Sequence, residues 1–249
     1  MLKRLLLIAA LLILVLCFFG ALNFTYDSPA VARGESYETR SIHSRDGIGK
    51  FYRGREIAKV MGHQEMLWLE RSSREVTEKP NDVITALGLK SGDTVADIGA
   101  GTGYFSFRMA SLVSRVFAVD IQPEMLEAIE FLKTENKIPN VKTILGTETD
   151  PDLPDGSIDL ALMVDAYHEF AYPREMMENL VKALKPDGRV ALVEYRRENP
   201  LVPIKALHKM TRKQVEKEMA AVGLNLQESI ESLPQQHLLI FGKKRSSVS

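Results

Sequence analysis

Between residues 94 and 194, short apolar runs alternate with longer amphipathic ones. The apolar runs are residues 94–98, 116–119, 141–145, 158–164 and 189–194. Their shortness and mainly apolar content predict buried strands. The stretches between them predict helices over 102–112, 123–135 and 173–184. Pro123 stands at a first-turn position, and Lys185-Pro186-Asp187-Gly188 forms a stop and turn. Another helix, over 211–222, closes at Gly223. Two last strands, 224–230 and 237–241, follow each other across Ser232-Leu233-Pro234-Gln235, so they should pair as a hairpin. Strand–helix alternation predicts an α/β fold, doubly wound around a parallel sheet. The closing antiparallel hairpin makes it a Rossmann-like, seven-stranded mixed sheet over residues 81–243.

The pattern changes upstream. A short helix over 81–87 takes Asn81 as its cap and Gly88 as its stop. Ile57, Val60, Met61, Gln64 and Trp68 recur at three- and four-residue intervals. That period predicts a helix over 53–77, and with it an N-terminal helical cap over 51–80. Residues 24–50 are polar and without period, and they read as a linker. Before them, Lys3 and Arg4 precede 18 uncharged residues from Leu5 to Leu22. This is a membrane-targeting segment over 1–23, separate from the fold. As an uncleaved anchor it would span about 27 Å, enough for a bilayer core. As a cleaved signal peptide it would use Ala30-Val31-Ala32, which lies well beyond the apolar run. A lipoprotein reading wants a small residue before Cys17, and Leu16 stands there. The anchor is the favoured reading. Its positive start places the folded part on the outer face of the cytoplasmic membrane, or in the periplasm if exported.

Composition narrows the partners. The chain has 32 basic and 33 acidic residues, so no basic field argues for nucleic acid. Its single cysteine, Cys17, lies in the apolar run. The folded part therefore has no disulfide, thiolate metal site or cysteine nucleophile.

The candidate chemistry begins after the first buried strand, at Asp97-Ile98-Gly99-Ala100-Gly101-Thr102-Gly103-Tyr104. Glycines between a strand and a helix predict a tight bend that lies close to a ligand. A dinucleotide fold wants Gly-x-Gly-x-x-Gly, and Tyr104 occupies the place of the last glycine. Asp97 would meet a pyrophosphate unfavourably but suits a ligand bearing an ammonium group. The second strand ends at Asp120, where a carboxylate can accept both hydroxyls of a ribose. Ile121 beside it offers an apolar face for a base. Asp120 could instead cap the helix that follows.

These segments together resemble the class I S-adenosylmethionine-dependent methyltransferases of the small-molecule, type 11 kind. Residues 95–103 are similar to their first motif and Val119-Asp120 to the acidic end of their second strand. Asp155-Gly156-Ser157-Ile158-Asp159-Leu160 resembles the lead into their fourth strand, and Leu184-Lys185-Pro186-Asp187-Gly188-Arg189 their turn before the fifth. The likeness covers residues 80–242. It implies the fold, S-adenosylmethionine as cosubstrate, and methyl transfer. It also implies a cosubstrate site at Asp97, Gly99, Ala100, Gly101, Gly103, Asp120 and Ile121. Thr147 and Glu148 are looser candidates for adenine contact. A cosubstrate made in the cytosol and a domain turned outward are expectations that pull apart.

The end of the fourth strand, Asp165-Ala166-Tyr167-His168-Glu169-Phe170, opens where the methyl group should point. His168 suits proton removal near neutrality, Glu169 could orient or replace it, and Asp165 could hold the methionine ammonium. A polar loop with a capping histidine is the alternative. His63, His168, Glu169 and His208 could converge on a metal, but their spacing does not demand it, and no metal is expected. His63 and His208 lie in regions that commonly form lids in related enzymes. The expected function is methyl transfer to a small-molecule or lipid-like acceptor. The alternatives are a non-catalytic S-adenosylmethionine-binding module and an NAD-dependent oxidoreductase.

Overall fold

A computed structural model describes residues 37–244. The expected targeting segment over 1–23 lies outside the described residues. Among those described, no helix is long and apolar enough to cross a membrane.

The chain opens with strands β1 (Glu38–Thr39), β2 (Gly47–Tyr52) and β3 (Arg55–Ala58), which form a small antiparallel sheet. This corrects two expectations. The linker over 24–50 contains strand, and the cap over 51–80 is not one helix. Tyr52 pairs with Arg55, so Arg53-Gly54 is a two-residue turn, with φ of 51° and 92°. Two positive φ values are what a tight hairpin turn requires. The period over 57–68 is carried instead by a strand end and by short helical turns at His63–Glu65 and α1 (Met66–Leu69). Two further helices follow, α2 (Arg74–Thr77) and α3 (Pro80–Ala86). Pro80 opens α3 behind Lys79, so Asn81 is inside the helix and not its cap.

The main domain alternates β4 (Thr94–Ile98), α4 (Tyr104–Ala110), β5 (Arg115–Asp120), α5 (Pro123–Glu135), β6 (Val141–Leu145), β7 (Ile158–Val164), α6 (Pro173–Ala183), β8 (Leu184–Tyr195), α7 (Arg212–Ala221), β9 (Leu224–Ile230) and β10 (Gln236–Lys243). Its sheet has seven strands in the order β6-β5-β4-β7-β8-β10-β9. β4 through β8 pair in parallel, and β10 is antiparallel to both β8 and β9. The closing hairpin is present, with β10 as its inner strand. The turn expected at 185–188 lies inside β8. Leu184 pairs with Ile158 and Arg189 with Leu160, so the residues between bulge out of the ladder.

Successive strand residues enter opposite layers, and both layers are apolar. Val95, Leu160 and Leu162 pack with Phe105 and Met109 of α4 and Ile129 of α5. Their neighbours Ala96, Ala161 and Met163 pack with Met177 and Leu180 of α6 and Val215 and Met219 of α7. This is why the strands read as continuous apolar runs. On α6, Met176, Met177, Leu180 and Ala183 form one buried stripe at helical spacing. The order of connections reverses at β4, so β5 and β7 flank it. Their carboxyl ends leave a crevice, the place where such sheets take ligands.

Candidate active site

Three glycines shape the floor of that crevice. Gly99, Gly101 and Gly103 have φ of 73°, 55° and 83°, which side-chain-bearing residues seldom adopt. A Cβ on Gly99 would stand 2.7 Å from the Cβ of Ala166, and one on Gly101 2.7 Å from Leu69 Cδ1. The loop is tied to β5. Gly99 N–H and Ala100 N–H donate to the Val119 carbonyl at 2.9 and 3.0 Å. Asp120 Oδ2 accepts from Gly101 N–H at 2.9 Å, and Oδ1 accepts from Gln122 N–H at 2.9 Å. Burial raises the Asp120 carboxyl, and backbone N–H groups of Gln122, Gly101 and Ile121 oppose that rise.

A cavity of about 950 Å³ opens above the loop, at the upper end of the usual small-molecule range of roughly 300–1,000 Å³. Gly99, Gly101, Asp120, Ile121, Thr147, Glu148, Asp165, His168 and Glu169 all line it. Nine of the twelve expected site residues thus meet at one place. The other three do not line it. Asp97 is buried and accepts from Ser106 Oγ of α4 at 2.7 Å. Burial, with a smaller push from Asp120, raises its carboxyl to about 6. Ala100 belongs to the core. At Gly103 a Cβ would come within 2.8 Å of Phe107 and 3.1 Å of Ile129, so this glycine serves close packing.

Asp165 is half-buried just past the end of β7, with φ of 50°. Its Oδ2 accepts from Gln236 Nε2 at 2.7 Å, while Oδ1 has no partner. Burial first, then the charges of Glu78 and Glu194, hold this carboxyl well above the ordinary range. Thr147 and Glu148 stand at the exposed rim.

His168 is only 2% exposed. Its Nδ1 lies 2.7 Å from Glu194 Oε2, and its Nε2 lies 3.0 Å from His208 Nδ1. Glu169 Oε1 lies 3.2 Å from His208 Nδ1 and 3.8 Å from His168 Nε2. On its far side, His208 Nε2 lies 3.2 Å from Asp46 Oδ2. Burial pushes the His208 imidazole down, but Glu169 and Asp46 outweigh it and the net shift is upward. His63 stands apart, 3.6 Å from Glu124.

Sequence reasoning missed Glu194 and Asp46. Glu194 had a readable signal, because it ends an apolar strand as Asp120 does. Asp46 had none, being one polar residue in an aperiodic stretch. A strap from Met61 to Leu69 closes the cavity from the N-terminal side. Met61 N–H donates to Glu169 Oε2 at 3.1 Å. Gln122 brackets the same segment, donating to the Met61 carbonyl at 3.0 Å and accepting from His63 N–H at 2.9 Å.

Known proteins share this architecture. A structure of a SAM-dependent methyltransferase from Aquifex aeolicus superposes with a TM-score of 0.69 at 23% identity, covering 73% of this chain and 98% of that one. In sequence, an uncharacterized methyltransferase-like protein of Schizosaccharomyces pombe is 35% identical over 117 residues, 47% of this chain and 43% of its own. A demethylmenaquinone methyltransferase of Paenarthrobacter aurescens is 29% identical over 122 residues, 49% of this chain and 46% of its own. The chain thus spans less than half the length of these curated relatives. A profile of the methyltransferase domain matches residues 89–240, the segment that holds the glycine loop, Asp120 and His168. The chain belongs to the methyltransferase-domain family.

Proposed function

We propose that the protein transfers a methyl group from S-adenosylmethionine to a small or membrane-associated acceptor by in-line displacement. One observation carries this reading: a single cavity joins the glycine loop and Asp120 to a wall of proton-accepting side chains. The residues fit the cosubstrate. Bare backbone at Gly99 and Gly101 leaves room where any Cβ would intrude. Asp120 offers a carboxylate to ribose hydroxyls, with the half-exposed Ile121 beside it for the adenine face. Asp165 Oδ1, buried without a partner, is an acceptor for the methionine ammonium. A cation there would draw the carboxyl back to its ionised form.

When bound, the sulfonium supplies an electrophilic methyl group. The chain's own contribution is alignment and exclusion of water, effects worth up to about 7–11 kcal/mol in well-oriented reactions. His168 and Glu169 stand on the wall that an acceptor would face, where its proton can be taken. Val60, Leu67 and Trp68 line the mouth yet remain exposed, and they favour an apolar acceptor such as a quinone-like ring. An anchor over residues 1–23 would keep the domain at the membrane that holds such a molecule.

The family assignment leaves the NAD-dependent alternative without support. The test uses the full chain with methyl-labelled S-adenosylmethionine and a whole-cell extract, followed by partition of the label. Label in lipid is the expected result. Label among aqueous small molecules would move the acceptor out of the membrane. Measured binding of the cosubstrate with no label transferred would replace the enzyme by a binding module.

A further inference from the structure

His168, Glu169 and His208 are joined by more than proximity. Three donor atoms, His168 Nε2, His208 Nδ1 and Glu169 Oε1, face one another at 3.0, 3.2 and 3.8 Å. These separations bracket the edge of roughly 3.3 Å expected for a tetrahedron of ligands at about 2.0–2.1 Å from a central ion. One outer nitrogen is hydrogen-bonded to a carboxylate and the other faces one. Glu194 Oε2 takes His168 Nδ1–H at 2.7 Å, and Asp46 Oδ2 stands 3.2 Å from His208 Nε2. Carboxylates on the outer nitrogen are the usual backing of a metal-bound imidazole, because they fix the tautomer and turn the free lone pair inward. With His168 so fixed, its Nε2 faces His208 Nδ1 and Glu169 Oε1, while Asp46 Oδ2 lies buried beside His208 without a hydrogen-bond partner.

The donors are held from behind. Arg55 Nη1 donates to the His168 carbonyl at 2.9 Å, and Met61 N–H fixes the second oxygen of Glu169 at 3.1 Å. All three ligands line the cavity, so a fourth position on the ion would open onto it.

We propose that His168, Glu169 and His208 bind one divalent transition-metal ion, with Asp46 and Glu194 orienting the two imidazoles. Two imidazoles and one carboxylate suit ions of the zinc and iron series and discriminate against magnesium. The site stands on its donor set alone. Its use in catalysis rests on the methyl-transfer reading: the open position would hold an acceptor oxygen, whose proton leaves to water as the metal–oxygen bond forms. His168 and Glu169 then serve as ligands rather than as bases.

The test is a titration of chelator-treated full-length protein with Zn2+ and, separately, Co2+, which reports its ligands through its visible absorption. Retained metal is read by elemental analysis. One equivalent should bind, and Mg2+ should not displace it. His208→Ala, on a partly exposed turn, should abolish the one-equivalent step while the thermal melt of the metal-free protein stays cooperative. Asp46→Asn should keep the stoichiometry and weaken affinity about 10–100-fold. Absence of the step in the parent protein would overturn the site and leave a proton shared by two histidines. An unchanged step in His208→Ala would overturn it as well. Neither readout uses methyl transfer, so failure of the site and failure of the proposed activity are separable.

Discussion

At the scale of single residues, Asp97 is a buried member of the glycine motif. The aspartate was expected to meet an ammonium group. In the fold it is sealed beneath the loop, and Ser106 holds it at the start of α4. The sealed carboxyl, raised to about 6, couples stability to pH. A group whose folded pKa is raised favours the folded state when protonated. Its contribution is complete below its unfolded pKa and is lost as pH rises through about 6. For a carboxyl moved this far the loss is about 3 kcal/mol. Asp97→Asn keeps an acceptor for Ser106 but cannot ionise. The variant should gain about 3 kcal/mol on the parent between about pH 4 and pH 7, read from urea melts across that range. A difference that does not vary with pH would mean that Asp97 reaches solvent in the folded protein. Asp165, just past β7 and in a left-handed conformation, lines the cavity instead.

At the scale of elements, the main question is what presses the N-terminal sheet onto the domain. Arg55 on β3 makes the decisive contact. Its Nε and Nη2 donate to the two oxygens of Glu218 on α7 at 2.8 and 2.9 Å. Tyr167 Oη donates to the same carboxylate at 2.9 Å. Both partners are almost wholly buried. Removing one member of such a pair strands the other charge and costs roughly 3–5 kcal/mol. Arg55→Ala should lower the unfolding free energy by that amount, read as a lower urea midpoint at an unchanged slope, and it should weaken metal retention because the His168 carbonyl loses its anchor. A loss below 1 kcal/mol would show that β3 docks by apolar contact alone. This element also marks the limit of what the sequence reveals. The strands from β4 to β7 were legible because most of their positions are apolar and the central ones are buried on both faces. The glycine loop and Asp120 were legible because they lie within one short span. β2 and β3 were not, because Ile57, Val60 and Met61 fit a helical period, and the turn at Arg53-Gly54 lacks the usual Asn or Asp. The His168 cluster was only partly legible. Its members come from β8, the turn after β7, the loop before α7 and the stretch before β2, and only folding makes them neighbours.

At the scale of the whole molecule, rigidity and ligand contact are divided between different parts of the chain. The strands that carry the site are well buried, with β4, β7 and β8 nearly free of exposed positions. The strap across the cavity is the opposite. His63–Glu65 and Met66–Leu69 contain no buried residue, and Leu67 is 81% exposed. Segments with little buried surface open at low free energy. The strap nonetheless lines the cavity and touches it through Met61, Gln64 and Leu69. A ligand that fills the cavity must therefore order the strap while leaving the sheet as it was. S-adenosylmethionine at about 100 times its Kd adds roughly 2.7 kcal/mol to stability. In a chain of this size that raises Tm by about 5–10 °C. Hydrogen exchange should place the gain. Amides of residues 61–71 should exchange quickly in the free protein and slow on adding the cosubstrate, while those of β4, β7 and β8 stay slow throughout. A rise in Tm without protection of the strap would mean that the cosubstrate binds outside this cavity, and the glycine loop would lose its assigned role.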